Sequence, residues 1–472
     1  MKYPIGIQTF ERIISEGYVY VDKTALVHQF VHDGTVYFLS RPRRFGKSLL
    51  ISTLKSYFQG KKDLFRGLAM EKLETEWAEH PVFHLSFSSG NYMRSDELKN
   101  VLETFVADAE NLYGKSETAT TLSVRFRKVI EAAYKKTGQK VVVLVDEYDK
   151  PLLDVLDTDL SVDVDGLRTQ LEEYNRGLLK EIYSVFKDAD EYLRFVLLTG
   201  VTKFSQVSVF SGFNQPKDIS MDRRYDALCG ITKDELVSYF AEPIKSLAAV
   251  EGVSEEEMIK RLTLQYDGYH FSDGMTGIFN PFSIINCMDS QSIRDYWFAT
   301  GTPTYLMRLL QHFNENINEL TSKYYSPEEF VNYRADAEKP LPMIYQSGYL
   351  TIKSYNARRN KYLLDFPNRE VAGAFSAYIL NSYAGKTQTA SVQFTAEIAT
   401  ALLNRDLKKL RKIMEVFFAG IPYTSHKKQE STFQTIFFSI FRLLGLYIEA
   451  ESATNDGRID AVVQTADAIF IF

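Results

Sequence analysis

The run Arg41-Pro42-Arg43-Arg44-Phe45-Gly46-Lys47-Ser48-Leu49 sets a glycine, a lysine and a hydroxyl in succession behind three arginines. Those residue types in that order suit the phosphates of a nucleotide. Gly46 lets backbone N–H groups approach an anion that a Cβ would hold off. Lys47 would reach the β- and γ-phosphates, and the Ser48 hydroxyl would hold Mg²⁺. The pattern for such a loop is G-x-x-x-x-G-K-[ST], so its first glycine falls on Arg41. A basic strand-to-helix turn with no ligand would read the same way, and Gly46-Lys47-Ser48 alone does not separate the two.

A second constellation does. The run "KVVVLVDEYDKPLL" takes an apolar strand over 141–145 straight into Asp146-Glu147. This is the form of a Walker B element, with Asp146 as the Mg²⁺ partner and Glu147 set to orient or activate a water. An acidic pair at a strand end is often a solvated turn, but here it follows a Gly-Lys-Ser loop. A third strand, "RFVLLTGVTKFS", ends in Thr199 and Gly200. Thr199 falls where P-loop ATPases carry a polar residue facing the γ-phosphate or the attacking water, and its plain alternative is a β-branched strand end.

These residues need a sheet to carry them. Strands are predicted over 36–40, 82–87, 141–145 and 194–199, alternating with helical patterns. The first, third and fourth are nearly continuous apolar runs, as in a parallel sheet covered on both faces. The fold class expected is therefore α/β, with a P-loop parallel-sheet domain over 1–224. Residues 225–320 turn mainly helical, with Thr232 to Glu235 reading as a capping box, and form a lid region. Residues 321–388 read as helix, hairpin and helix around a polar turn at Asn356 to Asn360, a winged-helix-like module. Arg358, Arg359 and Lys361 cluster at the wing, as a nucleic-acid contact or as a solvated charged turn. In 389–472 a helix over 429–444 leads into three short strands.

The 472 residues, 45% hydrophobic and 25% charged, have room for about three domains. A net charge of -6 argues against a chain coated for nucleic acid, leaving a local basic patch open. Cys229 and Cys287 build neither a disulfide framework nor a zinc site alone, which suits a reducing cytoplasm. The opening residues lack the apolar core of a signal peptide, and no apolar run is long enough to span a membrane. The expected location is cytoplasmic.

Taken together, "YVYVDKTALV", "RPRRFGKSLL", "VVVLVDEYDKPL", "LLTGVTKFS", "YDGYHFS", "FNPFSIINCM" and "GYLTI" resemble a bacterial AAA-ATPase-like family whose members carry a C-terminal PD-(D/E)xK nuclease-type domain. The resemblance runs over nearly the whole chain. It implies that Arg41 is the family's usual residue, so the loop is a working site. It implies ATP and Mg²⁺ as ligands, with Arg43, Arg44, Phe45, Gly46, Lys47, Ser48 and Leu49 at the nucleotide. Pro42 would pre-set part of the loop, and Arg43 or Arg44 would add charge near the phosphates. Around Asp22 the family's "YVDKT" is a candidate adenine-side contact, against a plain helix cap. His270 is a candidate lid contact, against a packed core histidine.

For the C-terminal segment the resemblance implies a metal-binding pair, Glu430 on the helix and Asp460 at the start of a strand, against plain surface carboxylates on a small α/β unit. A Glu-x-Lys should follow on the next strand, and "AIFIF" ends at Phe472 without it. Nuclease activity is therefore not expected of this chain as it stands, and the domain reads as truncated. Three functions stay open: a Mg²⁺-dependent ATPase coupled to a nucleic-acid or protein partner, a nucleotide-switched binding module without turnover, and an ATP-gated metal-dependent nuclease in a longer form. DNA or RNA is a candidate partner, and the protein partner is not identified.

Overall fold

In the computed structural model, which describes residues 1–203, 216–297, 320–321, 323–331, 340–384, 388–419, 436–441, 447–454, 457–464 and 468–471, five parallel strands build one sheet. Their order across the sheet is Val82–Ser86, Val141–Asp146, Leu193–Gly200, Val36–Ser40 and Lys217–Asp218. The Leu193–Gly200 strand is thus inserted between the strand that leads into the loop and the strand that ends in Asp146.

The burial follows the residue pattern. Every residue of Val141–Asp146 is buried, as a central strand with helices on its faces requires. Helices Lys47–Phe58 and Leu122–Thr137 both pack on it. The edge strand Val82–Ser86 instead exposes His84 between buried Phe83 and Leu85. Each such apolar side chain contributes about 1.5–3 kcal/mol when fully buried. A hairpin of Ser161–Val164 and Leu167–Gln170 was not expected, although Asp165-Gly166, both at positive φ, is a strong hairpin signal.

Helices Lys233–Glu251, Glu255–Tyr266 and Pro281–Ser290 gather around a second core that includes Leu236, Phe240, Ile244, Met258, Leu262 and Ile284. The capping box is present: Thr232 Oγ1 accepts from the Glu235 N–H, and Glu235 Oε2 accepts from the Thr232 N–H. Beyond it, helix Leu341–Gln346 is followed by antiparallel strands Thr351–Asn356 and Lys361–Asp365 and by helix Arg369–Ala384. Strand Lys323–Tyr325 pairs with the outer side of Lys361–Asp365, making a sheet of three.

Near the C-terminus, strands Tyr447–Thr454, Gly457–Gln464 and Ile469–Ile471 form an antiparallel sheet. Asp460 lies inside the middle strand, not at its start. The strand already begins at Gly457, which pairs with Thr454 across the hairpin. Glu430 lies outside the described residues. Among the described residues, no helix is long and apolar enough to cross a membrane.

Candidate nucleotide-binding site

All five strands point the same way, so their carboxyl ends gather along one edge of the sheet. In open α/β sheets that edge, where strand order reverses, is where ligands bind. Register fixes which residues meet there: Ser40 pairs with Gly200, and Ser86 with Asp146. The Arg41 N–H then donates to the Gly200 carbonyl at 3.2 Å, which joins the loop to the neighbouring strand tip.

Gly46 caps helix Lys47–Phe58 with φ of +89°, a left-handed conformation that favours glycine. A Cβ built there would meet no heavy atom within 4 Å, so the backbone conformation and not crowding calls for glycine. Unpaired N–H groups and the helix dipole make such an N-terminus attractive to an anion. Lys47 is buried, and its Nζ donates to the carbonyls of Arg41 and Pro42 at 2.9 and 3.0 Å. Burial pushes its ammonium below the usual lysine range, while Asp146, Asp149 and Glu147 act in the opposite direction.

The three arginines part company. Arg41 is 1% exposed and turns back into the protein. Its guanidinium donates to the carbonyls of Ser40, Ser220 and Tyr225 and lies 4.1 Å from the Phe271 ring centroid. Where the pattern has its first glycine, this chain thus has an internal brace. Arg43 and Arg44 are exposed. Arg44 sits over the Phe282 ring, and Arg43 is close enough to Glu147 to lower its carboxyl pKa. Phe45 is buried against Tyr269 and Phe271, and Leu49 is half-buried. Neither offers a polar side chain to a ligand.

Asp146 is buried at its strand tip, and its Oδ1 accepts from the Thr199 hydroxyl at 2.8 Å. Thr199 is fully buried. Glu147 takes φ of +55°, which costs a non-glycine residue about 1 kcal/mol or more. Burial and the neighbouring Asp146 push its carboxyl up, against the pull of Lys47, Arg43 and Lys150. Tyr148 then returns to the sheet, its N–H donating to the Thr199 carbonyl.

Asp149 was missed by the sequence reading. It is 1% exposed, its Oδ2 accepts from the N–H groups of Val201 and Thr202 at 3.0 and 2.6 Å, and burial pushes its carboxyl up to about 6. The signal available was the third acid in Asp146-Glu147-Tyr148-Asp149, one turn beyond the strand. Gly200 is required beside it, because a Cβ there would stand 2.6 Å from both Asp149 Oδ1 and the Tyr148 ring. Gly200→Ala should therefore destabilise the chain by about 1–3 kcal/mol, the cost of overpacking. Denaturant unfolding checks this, and an unchanged midpoint would show that the strand tip can relax.

Two further candidates are engaged in contacts within the protein, although the helix Thr24–His32 is capped by Lys23 and His270 is half-buried. Asp22 Oδ1 accepts from the Thr24 N–H and its Oδ2 from the Ala69 N–H, while Lys23 pairs with Glu235. His270 is held by Thr351 Oγ1 and the Ile352 carbonyl, and burial lowers its pKa.

Two comparisons bear on identity. Residues 4–210 match the AAA-ATPase-like family, described as Predicted AAA-ATPase. The chain is also 36% identical over 485 residues to "Uncharacterized protein in vnfD 5'region" of Azotobacter chroococcum mcd 1, an alignment covering 100% of this chain and 88% of that protein. With its loop, acidic strand tip and inserted fourth strand at one sheet edge, the chain belongs to the AAA-ATPase-like family.

Proposed function

We propose that the chain binds ATP at the loop Arg43 to Leu49 and hydrolyses it with Mg²⁺. The observation that carries this reading is the convergence at one sheet edge of the Gly46-capped helix, Lys47, the Asp146–Thr199 pair and Glu147. Ser48 and Asp146 would hold Mg²⁺, which would supply charge neutralisation at the phosphates. Lys47 exchanges its two loop carbonyls for phosphate oxygens, and Arg43 adds charge from the exposed side. Thr199 orients the Asp146 carboxylate. Glu147 takes the proton of the attacking water at its carboxylate, and its raised pKa suits that work. The test is ATP binding and Mg²⁺-dependent phosphate release by the purified chain, with and without DNA or RNA. Tight binding without turnover would favour the switch reading instead.

Coupling to a partner is part of the same proposal and is supported by one connection. Glu370, at the start of helix Arg369–Ala384, accepts from the N–H groups of Tyr296 and Trp297 and from the Ser283 hydroxyl. The Trp297 indole N–H in turn donates to the Arg43 carbonyl at 3.1 Å. A displacement of that helix thereby reaches the loop. Burial pushes the Glu370 carboxyl up to about 7 from 4.5. The folded chain then holds this proton more tightly than the unfolded one, so the associated stability is present below pH 4.5 and is lost as pH rises through 7. Glu370→Gln should flatten the fall in stability across that window, by at most about 3 kcal/mol. Unfolding midpoints of both proteins across the window check it, and parallel curves would remove Glu370 as the cause.

The wing carries exposed Arg358 and Arg359 beside half-buried Lys361. Contact with nucleic acid through these residues should weaken steeply with salt and with a triple alanine change. Salt-independent binding, or none, would return them to the solvated class. For 389–472 the nuclease-type assignment rests on the family resemblance and on the antiparallel sheet whose middle strand contains Asp460.

A further inference from the structure

His28 and His32 stand one turn apart on helix Thr24–His32, with ring centroids 4.3 Å apart. Glu74 reaches the same place from the end of helix Ala69–Leu73. One potential ligand atom from each lies within 4.8 Å of the other two, the one such trio of histidine, cysteine or carboxylate groups among the described residues. Neither the nucleotide site nor the proposed coupling uses these residues.

The geometry points to a binding site for a borderline divalent transition-metal ion of the Zn²⁺ class, held by His28, His32 and Glu74. Two imidazoles with one carboxylate form a familiar zinc donor set, whereas Mg²⁺ and Ca²⁺ take oxygen ligands. Tetrahedral bonds near 2.1 Å would set donors about 3.4 Å apart, so small side-chain rotations close the trio. Two of the donors are already oriented. His32 Nδ1 lies 2.7 Å from the His28 carbonyl, which only accepts, so Nδ1 carries the proton and Nε2 keeps its lone pair. Glu74 Oε1 accepts from the N–H groups of Thr75 and Glu76 at 2.8 and 2.9 Å, and Oε2 accepts from the Tyr57 hydroxyl. Outer partners of this kind fix ligand orientation in metal sites.

Tyr57 stands at the far end of Lys47–Phe58, the helix that begins at the phosphate loop. An ion here would fasten helix Thr24–His32 to Glu74 and, through Tyr57, to that helix. Its role is therefore that of a staple behind the nucleotide site, with chemistry distinct from the Mg²⁺ expected in front of it.

The experiment uses the untagged full chain, stripped with EDTA, free of nucleotide, and titrated with Co²⁺ followed by Zn²⁺. The expected result is one Co²⁺ per chain with visible absorption, displaced by Zn²⁺, and a raised melting temperature with Zn²⁺. His28→Gln with His32→Gln should weaken binding by at least about 100-fold, since disturbing an outer partner alone costs about 10–100-fold. Tyr57→Phe should show that smaller loss. Should the double variant not fold, His32→Gln alone serves, because that side chain is exposed. No Co²⁺ spectrum in the wild-type chain, or unchanged affinity in a folded histidine variant, overturns the site. ATP binding in the presence of Mg²⁺ is measured alongside, so a failure of the nucleotide reading is seen separately.

Discussion

Lys47→Ala should lose at least about 30-fold in ATP affinity while the fold survives. Truncating one partner of a buried, hydrogen-bonded charge pair costs about 2–5 kcal/mol, which at 1.4 kcal/mol per tenfold is about 30-fold to about 4,000-fold. Lys47 is well placed for such a loss. Its ammonium is buried between the Arg41 and Pro42 carbonyls, with the Asp146 carboxylate the largest of the charges acting on it. Structural damage should be limited, because the loop is braced elsewhere: Arg41 holds three carbonyls and stacks on Phe271, and Phe45 packs on Tyr269. The measurement is calorimetric titration with ATP and Mg²⁺, with circular dichroism as the control for folding. Wild-type affinity in a folded Lys47→Ala chain would remove the lysine from the site. Arg43→Ala should give a smaller loss, since this arginine is exposed and shared with water.

Glu147→Gln should separate binding from chemistry. Glutamine keeps the size and hydrogen bonding of the side chain and removes the base, so ATP should still bind while turnover falls by about 100-fold or more. The left-handed backbone at this position presents the carboxylate next to Asp146 and within the field of Arg43 and Lys47, while burial raises its pKa. Wild-type turnover should therefore decline on acidification from a higher pH than the roughly 4.3 of a free glutamate. Phosphate release measured against pH for both proteins is decisive. Normal hydrolysis by Glu147→Gln would mean that another residue prepares the water. Asp146→Asn should behave differently, weakening Mg²⁺-dependent binding, because its carboxylate acts on Lys47 and is oriented by Thr199.

Much of this arrangement is local and could be read in the chain. The apolar run ending in Asp146-Glu147 forms a strand because Val141 to Val145 have no polar face to give to water, so only a covered central position suits them. Gly46-Lys47-Ser48 begins a helix because glycine alone takes the turn cheaply. Thr232 and Glu235 cap their helix through atoms only three residues apart. These are effects of neighbouring residues, and neighbours in sequence carry them. What the tertiary structure decided is where three arginines of one loop point, and which strand lies beside which. Arg41 could be assigned only once Ser220, Tyr225 and Phe271, nearly 200 residues or more away, closed around its guanidinium. Thr199 meets Asp146 because the fourth strand inserts between the first and third, a register no local pattern encodes. Asp149 gains its part only from the Val201 and Thr202 N–H groups, 52 and 53 residues further along the chain. Residue types named the chemistry at this sheet edge, whereas burial and partners, which depend on contacts far apart in the chain, assigned each residue its part.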